Sequence, residues 1–183
     1  MFNPKMKQRL SGHSIKVVMI VYLDMDGVLT NFEERFADKF GYPAMAVRDR
    51  KNFSTEWPQF IADKEFESLN WFPGGKELIQ FVVNQPNISK IEILSSSGGH
   101  QHHDEVSRQK GVWLTNQNIP FKRNIVPGRK YKSDYARPNT ILIDDTKSII
   151  DSFVAAGGLG IHHKDLGETI NQLQKLLAKP LNT

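Results

Sequence analysis

Two aspartates one residue apart, Asp24 and Asp26, follow directly on the seven-residue apolar run 17–23, and Gly27 comes next. A carboxylate beside a buried strand is costly unless a cation or a reaction uses it. A second acidic pair, Asp144 and Asp145, follows the apolar run "TILI", and the run "SSSGG" (95–99) follows "IEIL". Four carboxylates drawn together would repel one another unless a divalent cation lay among them, and oxygen donors with no cysteine in the chain select magnesium. Serine hydroxyls and backbone N–H groups near a helix start are a means of holding phosphate oxygens. Lys130 and Lys132, just before the second acidic pair, add positive charge for the same anion. Carboxylates, magnesium, hydroxyl and lysine together describe a phosphoryl-transfer site.

Such residues converge only if the elements carrying them end at one place. The run 17–23 is continuously apolar, as for a strand buried on both faces of a parallel sheet. Residues 88–94 and 140–143 read as further strands, with weaker candidates at "RNIVP" and "GLGIH". Helical patterns occupy 74–85, 104–117, 146–158 and 165–179. This alternation predicts an α/β doubly wound parallel sheet, in which ligands bind beyond the carboxyl ends of the strands. Residues 33–73 break the rhythm with short helical pieces and many aromatics, and are expected to form a small helical cap inserted after the first strand. The core then comprises 17–32 and 74–183, and 1–16 is a basic tail.

The ordered set "DMDGV", a strand ending in serine, a lysine and then "IDD" is similar to the four-motif pattern of the haloacid dehalogenase (HAD) superfamily, over roughly 17–30 and 74–165. The short cap, "LSSSG" and the Lys-x-x-Tyr-Ala before "LIDD" most resemble its 5'(3')-deoxyribonucleotidase branch. The resemblance implies a Rossmann-like core and a magnesium-dependent phosphatase. Asp24 would be the nucleophile that forms an aspartyl phosphate, and Asp26 the acid and then the base. Ser95, assisted by Ser96, would hydrogen-bond the phosphoryl group, and Lys132 would neutralise its charge. The spacing to Asp144 leaves Lys130 as a rival to Lys132. Magnesium would be held by Asp24, the Asp26 carbonyl and Asp144, with Asp145 a water-mediated ligand or an orienter of the lysine. Haloacid dehalogenases need no acid at the Asp26 position, because halide departs unprotonated, so Asp26 favours phosphate esters.

Substrate choice is expected to reside in the cap. Phe53, Trp57, Phe60, Phe66, Trp71 and Phe72 raise its aromatic density above the 10% of the chain, and most of them would be its core. Phe32, Trp57 and Trp71 are the candidates for stacking a nucleobase, with Arg48 a further candidate contact. His100, His102 and His103 read as an exposed polar loop, and His162 and His163 as surface residues. The net charge of +4 equals the charge of Lys5, Lys7, Arg9 and Lys16 in the tail, so it says little about partners. Lys122, Arg123, Arg129, Lys130 and Lys132 form a basic stretch that reads as a solvated face with one catalytic lysine in it. The absence of cysteine and of any long apolar run predicts a cytoplasmic protein without a membrane span. Three functions are compatible with these residues: a phosphatase of a small (deoxy)nucleoside monophosphate, a polynucleotide 3'-phosphatase at DNA or RNA ends, and a non-enzymatic binding protein of the same fold. Oligomeric state is left open.

Overall fold

The computed structural model describes residues 18–46 and 53–178, with the side chain of Phe53 excluded. The basic tail, Arg48 and the Phe53 side chain therefore lie outside the described residues. Five strands, β1 (Met19–Leu23), β2 (Ile88–Ser96), β3 (Lys122–Val126), β4 (Thr140–Asp144) and β5 (Leu159–His162), form one sheet in the order β3-β2-β1-β4-β5. Every pairing is parallel. Both weak strand candidates are strands, as β3 and β5. Helices α3 (Gly75–Val83), α4 (His103–Asn116), α5 (Lys147–Ala155) and α6 (Leu166–Ala178) complete the alternation. No helix among the described residues is long and apolar enough to cross a membrane.

Side chains on a strand alternate between faces, and here both faces are buried. Val21, Leu23, Ile93, Ile141 and Ile143 pack on one side, and Tyr22, Leu94, Leu142 and Phe153 on the other. That is why these strands read as unbroken apolar runs rather than as alternating ones. The central position of β1 sets the site. Leu23 pairs with Ile143 of β4, so Asp24 stands beside Asp144; Leu23 also pairs with Ile93 of β2, so Ser95 lies just beyond it. The chain switches direction between β1 and β4, and such a switch opens a crevice at the strand ends.

Between β1 and α3 run α1 (Phe32–Phe40), α2 (Phe53–Ala62) and two short 3-10 turns, Ala44–Ala46 and Glu65–Ser68. Their interior is an aromatic interlock. The Phe32 ring stacks on Phe66 at 5.7 Å and meets Phe60 and Trp57 edge-on at 5.4 and 6.0 Å. An ion cluster centred on the buried Glu65 flanks it, where Glu65 accepts from the partly exposed Arg35 at 2.6 Å and Lys39 at 2.9 Å. Helix α4 holds the segment from the core side. Gln109 Nε2 donates to the Ile61 carbonyl and Trp113 Nε1 to that of Leu69, both at 2.7 Å.

Candidate active site

Asp24 leaves the end of β1 as a buried carboxylate. Its Oδ1 accepts the Met25 N–H at 2.8 Å, and its Oδ2 lies 2.8 Å from Lys132 Nζ. The same ammonium group reaches Asp144 Oδ2 at 2.6 Å. Lys132 arrives on a 3-10 helix, Arg129–Tyr135, that carries its side chain inward until only 2% remains exposed. Lys130, two residues earlier, is exposed with its ammonium over the Tyr131 ring. Of the two lysines, Lys132 is the one that reaches the acidic pair, because a 3-10 helix turns residues two apart to different sides.

One oxygen from each of Asp24, Asp144 and Asp145 lies within 4.8 Å of the others, the only such acidic or histidine group among the described residues. Asp144 Oδ1 accepts the Thr146 N–H at 2.8 Å, and Asp145 Oδ1 accepts from the Thr146 hydroxyl at 3.1 Å. The Asp145 residue is exposed overall, but its carboxyl tip is tucked against Gly27, where an added Cβ would meet Oδ2 at 2.4 Å. Gly27 also holds φ at +79°, so the glycine after the aspartate pair is required both for its backbone angle and for the space it leaves.

The charges of this cluster are unbalanced. Burial alone would raise the Asp24 carboxyl, but Lys132 and Lys110 outweigh it and hold it below its ordinary value. Burial and the charge of Asp24 push Asp144 up to about 7, against the pull of Lys132. The same two causes, in the same order, raise Asp145. For Lys132, burial is outweighed by Asp24 and Asp144, which raise it. One lysine among three carboxylates leaves excess negative charge, and Asp144 and Asp145 accordingly hold their protons more tightly than ordinary carboxyls. A hard dication relieves it better, so the donor set fits magnesium.

Asp26 is held apart from this cluster. Its Oδ1 accepts from the Thr30 hydroxyl at 2.9 Å and its Oδ2 from Lys110 Nζ at 2.7 Å. Lys110 comes from α4 and is wholly buried, and the motif reading missed it. A signal was present: Val106, Gln109, Lys110, Trp113 and Leu114 recur at helical spacing, which sets a lysine on the inward face.

A cavity of about 380 Å³ opens over the cluster, lined by Asp24, Asp26, Ser95, Ser96, Lys132 and Asp145 at its base. Phe32, Glu33 and Trp57 wall one side, and Gly98, Gly128 and Arg129 also border it. Of the three candidate stacking aromatics, Phe32 is only 5% exposed and is locked in the interlock, while Trp57 is half-buried and offers more face. Trp57 packs so closely on Gly98 that a Cβ there would meet its ring at 2.7 Å, and Gly98 also needs φ of +83°. Trp71 is a correction. It lines a different groove with Ile79, Gln117 and Phe121, packing on Trp113 and donating to Gln117 Oε1 at 2.9 Å. Its position at the end of the segment, next to α3, carries it away from the strand ends. Phe60 and Phe66 are buried within the segment, as cap core was expected to be.

The histidines divide. His103 Nδ1 meets the buried Ser97 hydroxyl at 2.9 Å, fixing the loop to the start of α4, while His100 reaches the Tyr131 hydroxyl at 3.2 Å. His163 corrects the surface reading: it is buried, with Nδ1 at 2.8 Å from Thr169 Oγ1, because α6 folds back over the end of β5. In the basic stretch, Lys122 approaches Glu92 of β2 and Arg123 donates to the Gly111 carbonyl and Thr115 of α4, so both tie β3 to its neighbours rather than serve the cavity.

A parallel sheet with an acidic cluster and a buried lysine at its switch point defines a class of doubly wound α/β proteins. No protein-family model and no curated protein sequence matches the chain. Solved structures do. A haloacid dehalogenase-like family hydrolase from Xanthomonas campestris aligns at a TM-score of 0.55 and 13% identity, over 88% of this chain and 93% of that one. One from Streptococcus pneumoniae aligns at 0.51 and 13%, over 86% and 91%. The HAD-hydrolase YfnB from Bacillus subtilis, bound to magnesium, aligns at 0.51 and 12%, over 88% and 99%. The chain carries the fold of the haloacid dehalogenase-like hydrolases.

Proposed function

We propose that the protein is a magnesium-dependent phosphatase that hydrolyses a phosphate monoester through an aspartyl-phosphate intermediate, its substrate a (deoxy)nucleoside monophosphate. The observation that carries this reading is the division of the two aspartates. Asp24 is held ionised beside Lys132 and within a three-carboxylate cluster, whereas Asp26, two residues on, is tied to a different lysine and a threonine. A nucleophile and an acid need such separate surroundings. Asp24, Asp144, Asp145 and the Asp26 carbonyl are the groups that would hold magnesium, which when bound polarises the phosphoryl oxygens and neutralises charge.

In the first half-reaction an Asp24 oxygen bonds to phosphorus, and the electron pair of the breaking P–O bond passes to the leaving oxygen, which takes the proton of Asp26. In the second, Asp26 removes a proton from water as that oxygen bonds to phosphorus, and the Asp24–phosphorus pair returns to Asp24. Ser95 lines the base as a hydroxyl donor, and Lys132 offsets charge on Asp24 and the phosphoryl group. The cavity volume suits one nucleotide. The half-buried Trp57 is the face against which a base would lie, in our reading of the helical segment as a substrate-choosing cap. A nucleic-acid end is the less favoured substrate, because Lys122 and Arg123 are engaged with β2 and α4 and, among the described residues, only Arg129 of the exposed basic residues borders the cavity.

The test is phosphate release from deoxy- and ribonucleoside monophosphates, sugar phosphates and a 3'-phosphorylated oligonucleotide, with magnesium and with a chelator. Turnover that needs magnesium and is fastest on a nucleoside monophosphate is the expected result. No release from any monoester overturns the phosphatase reading, and fastest release from the oligonucleotide replaces the small substrate with a polynucleotide.

A further inference from the structure

Lys110 is a buried ammonium with each of its three protons assigned. It donates to Asp26 Oδ2 at 2.7 Å, to Ser95 Oγ at 3.0 Å and to the Ser96 carbonyl at 2.9 Å. Its remaining side faces the Phe66 ring, 5.2 Å away. A lysine has three donors and no acceptor, so nothing is left over and the group is locked. An apolar side chain of similar volume would fill the same place in α4 without the cost of desolvating a charge. Packing alone therefore does not account for a lysine here, whereas its partners do: they are two residues of the cavity base, Asp26 and Ser95, and a strand carbonyl beside them.

The contact with Ser95 fixes a direction. A hydroxyl has one proton, and because its oxygen accepts from Lys110, that proton is free to point elsewhere. Asp24 is an acceptor open to it, since a hydrogen bond from Ser95 is among the causes that lower the Asp24 carboxyl. The contact with Asp26 fixes a geometry, since Thr30 takes one carboxyl oxygen and Lys110 the other. The two cations thus divide the site. Lys132 serves Asp24 and Asp144, and Lys110 serves Asp26 and Ser95.

We propose that Lys110 is a positioning residue for leaving-group protonation, orienting Asp26 and Ser95 and stabilising the negative charge that builds on Asp26 as its proton passes to the leaving oxygen. This rests on the phosphatase reading above. As Asp26 gives up its proton in the proposed step, its carboxyl becomes an anion 2.7 Å from Lys110 Nζ, so the attraction grows as the P–O bond breaks. Phe66 seats the ammonium from the helical segment, so one ring of the interlock touches the acid's support.

The experiment compares two esters that differ in the need for a proton. Benzyl phosphate loses an alkoxide, which must be protonated; p-nitrophenyl phosphate loses a stable anion, which need not be. Neither carries a base, so stacking is not involved. Lys110→Met should lower kcat/KM for benzyl phosphate about a hundredfold, and for p-nitrophenyl phosphate about tenfold or less, the low end of general-acid effects. Lys110→Arg should recover part of the lost ratio. In an Asp26→Asn background, adding Lys110→Met should leave the ratio unchanged, because the group it acts through is gone. The ratio of the two rates in one preparation does not depend on how much of the variant is folded. Equal losses on the two esters, or a ratio shift that persists without the Asp26 carboxyl, overturns the role assigned to Lys110. A wild-type protein inert to both esters overturns the phosphatase reading and this one with it.

Discussion

The strand ends and the helical segment between β1 and α3 are both dense and buried, yet they are held together by opposite means. At the strand ends, charged groups are fixed by ion pairs of 2.6 to 2.8 Å, Lys132 with Asp144 and Asp24 and Lys110 with Asp26. In the segment, phenylalanine and tryptophan rings interlock at 5.1 to 6.0 Å among Phe32, Trp57, Phe60 and Phe66. The first arrangement prescribes residue types, because only carboxylate, hydroxyl and ammonium have the needed charge and donors. The second prescribes volume, and several apolar sets of similar volume can satisfy it. Substitution should therefore act all-or-none at the strand ends and by degree in the segment.

The largest effect expected is at Asp24. Asp24→Asn keeps the side-chain shape but cannot attack phosphorus, and it removes a carboxylate from a cluster that already repels. Phosphate release should fall on the order of 10⁴-fold or more for every ester alike, in keeping with losses seen when a nucleophile is removed. The fold should survive, since the change relieves like-charge crowding with Asp144 and Asp145. A variant within tenfold of the wild type would end the covalent mechanism, and one that fails to fold would make the cluster structural.

Trp57 should show graded behaviour. It borders the cavity while most of the other rings in the interlock face inward. Trp57→Ala should lower turnover of nucleoside monophosphates by roughly tenfold or more, since a stacked base is worth about 1–3 kcal/mol and about 1.4 kcal/mol is tenfold. Hydrolysis of p-nitrophenyl phosphate should change much less, and Trp71→Ala, at the separate groove, should leave the preference intact. Equal losses on both substrates would make Trp57 a packing residue and would move substrate choice elsewhere, with Arg129 across the cavity the next place to look.

The same contrast explains what could be read from the chain. Asp24, Asp26, Asp144, Asp145 and Ser95 were legible because each follows an apolar run that could only be a buried parallel strand, and the register then brings them together. Lys132 was legible as one of two lysines, and only the turn of the 3-10 helix separated it from Lys130. Lys110 was written in the helical spacing of α4 but had no motif to draw notice, because its partners lie 15 and 84 residues away. In the segment, aromatic content told that a core exists and not which ring borders the cavity. Trp57 and Trp71 differ there only through tertiary packing.

The smallest effect lies at the seam of the two regions. His163 follows β5, has its ring 5.6 Å from Phe72 at the end of the segment, and is buried with Nε2 unpartnered. Burial is the main cause that lowers its pKa, with the nearby Asp165 charge opposing and His162 assisting. A base whose folded pKa lies below the unfolded value, about 6.5, binds its proton more readily when the chain is unfolded. The contribution of His163 is therefore complete above about pH 6.5 and is lost as the pH falls through that value toward the folded pKa. Asp144, raised to about 7, works in the opposite sense over the same window, since its protonated form favours the folded state, so the wild-type curve alone does not isolate the histidine. The difference between wild type and His163→Gln does, because Asp144 is common to both and a glutamine amide can still meet the Thr169 hydroxyl. Urea midpoints measured without added metal at pH 7.5 and 5.5 should show the wild type losing ground relative to His163→Gln on acidification. Parallel changes in the two proteins would mean that the buried imidazole takes up its proton without cost, and that the seam between the ionic and aromatic regions is wetter than its packing shows.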